Sequence, residues 1–293
     1  MVVVAILDSC MVTPSEATLK HRMWLSNLDL MVPRSHTPMI FFYRPRPEQL
    51  FSFAPDVLKD ALSKALVPYY PLAGRLALDG GGRPEINCNG GRVLFVTARA
   101  DAILDDMGRP ASSDELRRMF VPSDERAGIL TILQVTFFKC GGVCLGTAIH
   151  HMVSDGRAFA SFLNTWAAIV RGVSDAMSQP CLDRTLLRAR SPPDVRFDHV
   201  EYKFSGGGGV SKPNVPFHTA ILPISRSQIN ILKAAIGAGH GGKKVSTFTA
   251  VVAYVWRCAC KAGMIRGTDD NTRVYMATWA LPHLPAAPEQ LPR

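Results

Sequence analysis

The chain has 293 residues, of which 47% are hydrophobic and 19% charged, and its formal net charge is +9. This length accommodates one large domain or two ordinary ones, each with a sizeable core. The lysines and arginines are scattered and form no continuous basic stripe, which disfavours nucleic acid and leaves a phosphate-bearing small molecule as a partner. A solvated positive surface accounts for the charge at least equally well.

The sequence carries no sign of a membrane or secretory protein. No segment approaches the ~20 apolar residues that span a bilayer, and the start lacks the basic region of a signal peptide. The seven cysteines are odd in number and form no CxxC pair. We therefore expect a cytoplasmic protein with reduced cysteines, with Cys144 and Cys260 in its core, and with no disulfide frame or metal site.

Hydrophobic periodicity and turn residues predict an α/β chain. A segment rich in proline and glycine then interrupts this pattern and indicates an inter-domain linker. We predict a first domain over residues 1–173, a linker over 174–216 and a partial second domain over 217–293. The predicted strands are residues 2–7, 39–43, 85–88, 93–97, 130–138, 143–149, 219–223 and 273–277, and the predicted helices are 55–66, 114–120, 156–170, 225–236 and 246–261.

The stretch His150–Gly156 is the strongest candidate for chemistry, because a buried strand leads directly into two histidines. Neighbouring residues of a strand point to opposite faces, so only one of the two imidazoles can face a given cleft. A neutral imidazole can take a proton from an alcohol or amine that attacks a carbonyl. We interpret His151 as the general base of an acyl transfer. A histidine with a purely structural place in the turn is the alternative.

Asp155 follows His151 by four residues and allows two interpretations. It can orient His151 as the aspartate of a catalytic triad does, or it can bond nearby backbone as turn aspartates commonly do. The second interpretation is favoured. No G-x-S-x-G nucleophile elbow is present, which is consistent with direct attack of an acceptor on an activated ester.

The HHxxxDG pattern, followed by an amphipathic helix rich in aromatic residues, resembles the plant BAHD acyl-CoA transferases. Several further blocks are similar to that family, and together they most resemble its shikimate/quinate hydroxycinnamoyltransferases. The similarity extends from Val2 to about Thr278. The blocks are residues 25–30, 32–38, 64–76, 133–142, 183–190, 192–193 and 199–202.

This resemblance implies two α/β domains of the chloramphenicol-acetyltransferase type with a tunnel between them. Acyl-CoA would enter as co-substrate from one side and an alcohol such as shikimate or quinate from the other, with His151 as base and Asp155 structural. It implies a monomer with no permanently bound cofactor. Residues His36, Met39 and Phe41 would line the acceptor pocket.

Two further expectations concern the second domain and the acceptor. Ser246 and Thr247 resemble a segment near the CoA arm, where a helix N-terminus suits a phosphate, although simple helix capping explains them equally well. The chain lacks the family's Asp-Phe-Gly-Trp-Gly block, so we expect an incomplete second domain and keep a catalytically inactive fragment as an alternative. Met39 and Phe41 depart from shikimate-type side chains, which leaves an N-acyltransferase acting on an amine as a second alternative.

Overall fold

The structure is a computed structural model that describes residues 2–45, 53–107, 113–122, 128–173, 179–189, 191–194, 222–239, 244–264, 274 and 276. Its contacts divide the chain into two units. The first comprises residues 1–217 and 288–293, and the second comprises residues 218–287. Three predicted segments lie mostly outside the described residues. They are the linker at 174–216 and the two strands at 219–223 and 273–277.

Eight strands form two sheets within the described residues of the first unit. The larger sheet has the order β1-β6-β7-β8-β3, in which only β6 and β7 run parallel, and the smaller sheet has the order β2-β5-β4. The strands are β1 Val4–Val12, β2 His21–Trp24, β3 His36–Tyr43, β4 Arg75–Leu78, β5 Pro84–Cys88, β6 Val93–Ala100, β7 Thr131–Phe138 and β8 Val143–His150.

Helices cover both faces of the larger sheet. The helices of this unit are α1 Asn27–Leu30, α2 Pro55–Ala65, α3 Ser113–Phe120 and α4 Gly156–Val170, with short 3₁₀ turns at Tyr70–Ala73, Leu104–Met107 and Arg184–Leu187. Side chains from α2 and α4 share the main core with one face of β7 and β8, whereas Phe120 of α3 packs on the other face. Burial on both faces explains why β8 is a continuous apolar run instead of an alternating one.

The predicted hairpin that leads to the histidines is confirmed. β7 and β8 pair antiparallel, and Gly141 in their connection has φ +79°, a conformation that glycine adopts without strain. Gly146 is needed for a different reason. A Cβ at this position would lie 1.8 Å from the carbonyl oxygen of Phe120, so the close approach of α3 to β8 requires glycine.

Three features of this unit differ from the sequence prediction. β3 begins at His36 and continues through Pro38, which was expected to precede the strand. A proline fits here because β3 is an edge strand, where a missing N–H leaves no ladder bond broken. β1 extends to Val12, well past the predicted end at Leu7. The short elements α1, β2 and β4 were not predicted.

The second unit contributes α5 Arg226–Ala238 and α6 Thr247–Ala259, followed by a π-helical turn at Cys260–Met264. Both helices match their predicted positions. Ser225 caps α5 and Ser246 caps α6, each by accepting a hydrogen bond from a backbone N–H of the first turn. Among the described residues, no helix combines the length and apolarity that crossing a membrane requires.

The seven cysteines are free thiols in the structure. Cys144 is buried in β8, and desolvation raises the pKa of its thiol to about 12, so it remains a neutral apolar side chain. The prediction that Cys260 lies in the core is wrong. It is half-buried, because it belongs to the turn that follows α6 and not to the helix's apolar face.

Candidate active site

The end of β8 presents the two histidines. His150 is the last residue of the strand and pairs with His36 of β3, while its own N–H donates to the carbonyl of Leu130 at 2.8 Å. His151 is the first residue beyond the strand, and its N–H donates to the carbonyl of Ser35 at 3.0 Å. The backbone on both sides of the sheet end therefore fixes the point at which the chain turns away from the strand.

His150 is a structural histidine. It is 6% exposed, its ring stacks edge-to-face on His36 with centroids 5.3 Å apart, and its Nδ1 accepts the N–H of Met152 at 3.3 Å. Burial lowers its pKa to about 4, and the neighbouring imidazoles of His36 and His151 act in the same direction. The ring is therefore neutral near pH 7 and serves as an acceptor within the turn.

His151 has the opposite environment. The residue is half-buried, yet its Nδ1 is enclosed and has no hydrogen-bond partner among the described residues. The enclosed Nδ1 leaves Nε2 as the ring nitrogen that can meet a substrate. The two adjacent histidines thus differ: His150 supports the turn, and the role of His151 as general base stays a prediction.

Asp155 is the N-cap of α4. Its carboxylate accepts the N–H of Ala158 at 2.7 Å, and it makes no bond to the orphaned Nδ1 of His151. A carboxylate at a helix N-terminus also meets the positive end of the helix dipole. The contacts match the structural interpretation of Asp155 and not an orienting role in a triad.

Arg184 is a residue of this site that the sequence reasoning missed. Its guanidinium forms an ion pair with Asp29 of α1 and donates to the carbonyl of Val153, two residues after His151, at 3.0 Å. In the sequence, Arg184 belongs to the family-like block 183–190 and to the densest group of basic residues, and neither feature assigns it a role in this site. The pairing joins residues 155 positions apart in sequence, so no local pattern signals it.

The three predicted acceptor-pocket residues do not share a face of β3. His36 lies on the face of His150, and its Nε2 donates to the carbonyl of Ile129 at 2.7 Å. Phe41 lies on the opposite face, where it stacks on Phe159 of α4 with centroids 6.3 Å apart. Met39 lies two residues before Phe41 on the same face of β3 and is exposed. Their shared role in acceptor binding stays a prediction.

Ser246 and Thr247 lie in the second unit. The Ser246 hydroxyl accepts the N–H of Thr249 at 3.0 Å and contacts the Thr249 hydroxyl at 2.8 Å. Thr247 is the first residue of α6. These contacts are those of an ordinary helix cap, and the predicted contact with the CoA arm is untested.

Other parts of the described chain add no second chemical site. Within those residues, no group of three or more His, Cys, Asp or Glu side chains is arranged to hold a metal ion. A cleft of about 660 Å³ opens at the far end of α4, lined by residues that include Glu16, Lys64 and Ile169. It contains none of the candidate site residues.

Comparisons with known proteins identify the family of the chain. A family model described as the Transferase family matches residues 2–277. The chain is 60% identical over 287 residues to putrescine hydroxycinnamoyltransferase 1 of Oryza sativa subsp. japonica, covering 93% of this chain and 63% of that protein. It is 43% identical over 288 residues to shikimate O-hydroxycinnamoyltransferase of Nicotiana tabacum, covering 94% and 65% respectively.

A solved structure supports the architecture. The crystal structure of vinorine synthase matches with a TM-score of 0.65 and 25% identity, covering 92% of this chain and 63% of that one. The predicted α/β acyltransferase fold is confirmed by this match. The chain spans just under two thirds of the length of each of these three proteins.

Proposed function

Because the chain belongs to the Transferase family of BAHD acyltransferases, we propose that it transfers a hydroxycinnamoyl group from a CoA thioester to an amine or alcohol, with His151 as general base. The observation that carries this proposal is the position of His151. It follows a rigid buried strand, its Nδ1 is sealed, and the residue keeps partial exposure. A base must be held in place and still reach the substrate, and this residue meets both conditions.

The reaction follows from these parts. The acceptor's oxygen or nitrogen attacks the thioester carbonyl carbon while Nε2 of His151 takes the acceptor's proton. The resulting tetrahedral intermediate collapses, the C–S bond breaks, and the departing CoA thiolate recovers the proton from the imidazolium. Atoms and charge balance, and the step requires no resident metal or cofactor.

For the acceptor, we propose an aliphatic amine ahead of shikimate or quinate. The 60% identity to a putrescine hydroxycinnamoyltransferase exceeds the 43% identity to a shikimate O-hydroxycinnamoyltransferase. Met39 and Phe41 support the same choice, because an apolar pair offers no hydrogen bonds to a ring with several hydroxyl groups. The alcohol acceptor remains the second candidate, carried by the shikimate-like sequence blocks.

The test incubates the purified chain with p-coumaroyl-CoA and, in separate reactions, putrescine, shikimate and quinate. Free CoA and acylated product are followed by mass spectrometry. We expect an amide with putrescine at the highest rate. We expect His151→Ala to lower kcat by about a hundredfold or more, as the loss of a general base does.

His21→Ala is the matched control, since His21 is an exposed histidine on β2 whose Nε2 lies 2.9 Å from the Tyr70 hydroxyl. It should retain wild-type turnover. Equal rates for His151→Ala and wild type would refute the assignment of the base. A folded wild-type protein that forms no product would leave the chain as an inactive member of the family.

A further inference from the structure

The turn that carries His151 is held from its far side by a side chain distant in sequence. Within the turn, the N–H of Val153 donates to the carbonyl of His150 at 3.0 Å. The carbonyl of Val153 receives the Nη2 hydrogen of Arg184 at 3.0 Å. Both backbone groups of Val153 are thereby occupied, one by the turn itself and one by Arg184.

The Arg184 guanidinium is itself oriented by α1. One oxygen of Asp29 pairs with Arg184, while the other accepts both the N–H and the hydroxyl of Ser26, each at 2.7 Å. The Asp29 carboxylate is therefore fixed by the capping box of α1 before it meets the arginine. Because a guanidinium is planar, pairing one edge with Asp29 also fixes the direction of the hydrogen aimed at Val153.

This contact is more protected than a surface ion pair. The side chains of Arg184 and Asp29 are only 18% and 17% exposed, and the residue that they tie, Val153, is 5% exposed. Exposed pairs contribute little because water screens them and both side chains stay mobile. A largely buried guanidinium that bonds two different acceptors instead holds one geometry, which suits a positioning role.

We propose that Arg184 is a positioning residue for the general base: its bridge from Asp29 to the Val153 carbonyl sets the orientation of the turn and hence of the His151 imidazole. The expected effect on kcat rests on the proposed function, whereas the expected reorientation of the imidazole does not. Loss of the bridge releases one end of the turn while β8 and the Ser35 contact keep the other end in place. The imidazole then reorients without unfolding of the sheet.

The first test is spectroscopic and needs no turnover. The chain has eight histidines, so protein labelled with ¹³C at histidine Cε1 gives a resolvable set of signals, and His151→Ala assigns the one of interest. Arg184→Gln should displace the His151 signal by more than its linewidth. Arg188→Gln is the matched control, because Arg188 lies on the same segment with its guanidinium 5.2 Å from the Trp24 ring and should leave that signal in place.

The second test is kinetic. Arg184→Gln should lower kcat about tenfold to a hundredfold, since small misplacements of a catalytic group cost up to that much, while KM for p-coumaroyl-CoA changes less than threefold. Arg188→Gln should stay within twofold of wild type. Arg184→Lys keeps the charge opposite Asp29 but lacks a second nitrogen for Val153, so it should displace the His151 signal while thermal stability is retained.

The outcomes separate this inference from the proposed function. An unmoved His151 signal in both Arg184 variants would overturn the positioning role whatever the rates. A displaced signal with a lowered kcat supports it. If wild-type protein forms no product, the proposed function fails and the spectrum alone decides the role of Arg184. If Arg184→Gln does not fold, Arg184→Lys provides the deciding spectrum.

Discussion

Helices α4 and α6 have similar local sequence features but different surroundings. Each starts at a polar residue that accepts the N–H three positions on: Asp155 from Ala158 in α4, and Ser246 from Thr249 in α6. Each then carries an apolar face. In α4 that face is buried against α2 and the larger sheet, whereas in α6 Phe248 is 62% exposed.

The contrast shows which property is local and which is not. A cap and a helical period require only residues a few positions apart, so both helices form where the sequence predicts them. Burial requires a partner surface, which α4 finds in the sheet that also carries the histidines. The site is therefore built on the better-packed helix, where His151 precedes an element that cannot shift without opening the core.

The largest effect should come from the apolar faces. Phe162→Ala in α4 should lower the free energy of unfolding by about 3–5 kcal/mol, because Phe162 is fully buried and the truncation leaves a cavity beside Tyr69. Phe248→Ala in α6 is the matched substitution and should cost no more than about 0.5 kcal/mol. Urea unfolding followed by circular dichroism measures both variants. Similar losses in the free energy of unfolding would contradict the expected energetic difference between the two apolar faces.

A second prediction concerns the free energy of unfolding at low pH. His150, which leads into the turn before α4, titrates in acid, whereas α6 begins at the uncharged Ser246. The pKa of His150 is about 4 when folded and about 6.5 in an unfolded chain, so the unfolded state binds the proton more tightly. Stability should therefore decrease as the pH falls from 6.5 to 4, by up to about 3 kcal/mol.

His150→Asn removes the titration and keeps an acceptor for the Met152 N–H. Its unfolding free energy should depend less on pH within that window, as determined by urea titrations at pH 7, 5.5 and 4.5. The same slope in wild type and variant would contradict the assignment of acid sensitivity to His150.

The smallest difference between the two helices should come from their caps. Asp155→Ala and Ser246→Ala each remove one cap, and each should cost about 1 kcal/mol. Asp155→Asn keeps the acceptor and loses only the charge near the helix dipole, so its cost should be less than about 1 kcal/mol. Hydrogen exchange of the first-turn amides reports on each helix separately. An effect in only one helix would contradict the prediction that the two caps contribute equally.

Much of the larger sheet was predictable because its signals are local. The β7–β8 hairpin, the buried run of β8 and the helices α2 and α4 each show a period or a turn residue within a short window. The smaller sheet was missed in part. β2 and β4 have four residues each, and they become strands only by pairing on either side of β5.

The site residues also divide into those that local sequence signals predict and those that depend on distant contacts. The sequence singled out His151 because a strand end, a histidine and a cap lie within seven residues, and it favoured the structural reading of Asp155 that the cap geometry matches. It grouped His36 with Phe41, although the pleat of β3 turns them to opposite faces in contact with different partners. The contacts of Arg184 could not be predicted from the sequence, since its two partners belong to α1 and to the turn after β8.

The family, the elements with strong local periodicity and the candidate base could be predicted from the sequence, because each depends on motifs of residues close together in the chain. The folded structure was needed to show that His150 is buried and neutral, that Nδ1 of His151 is enclosed, and that Arg184 bridges Asp29 to Val153. These properties depend on desolvation and on contacts between distant segments, and both exist only once the chain has packed.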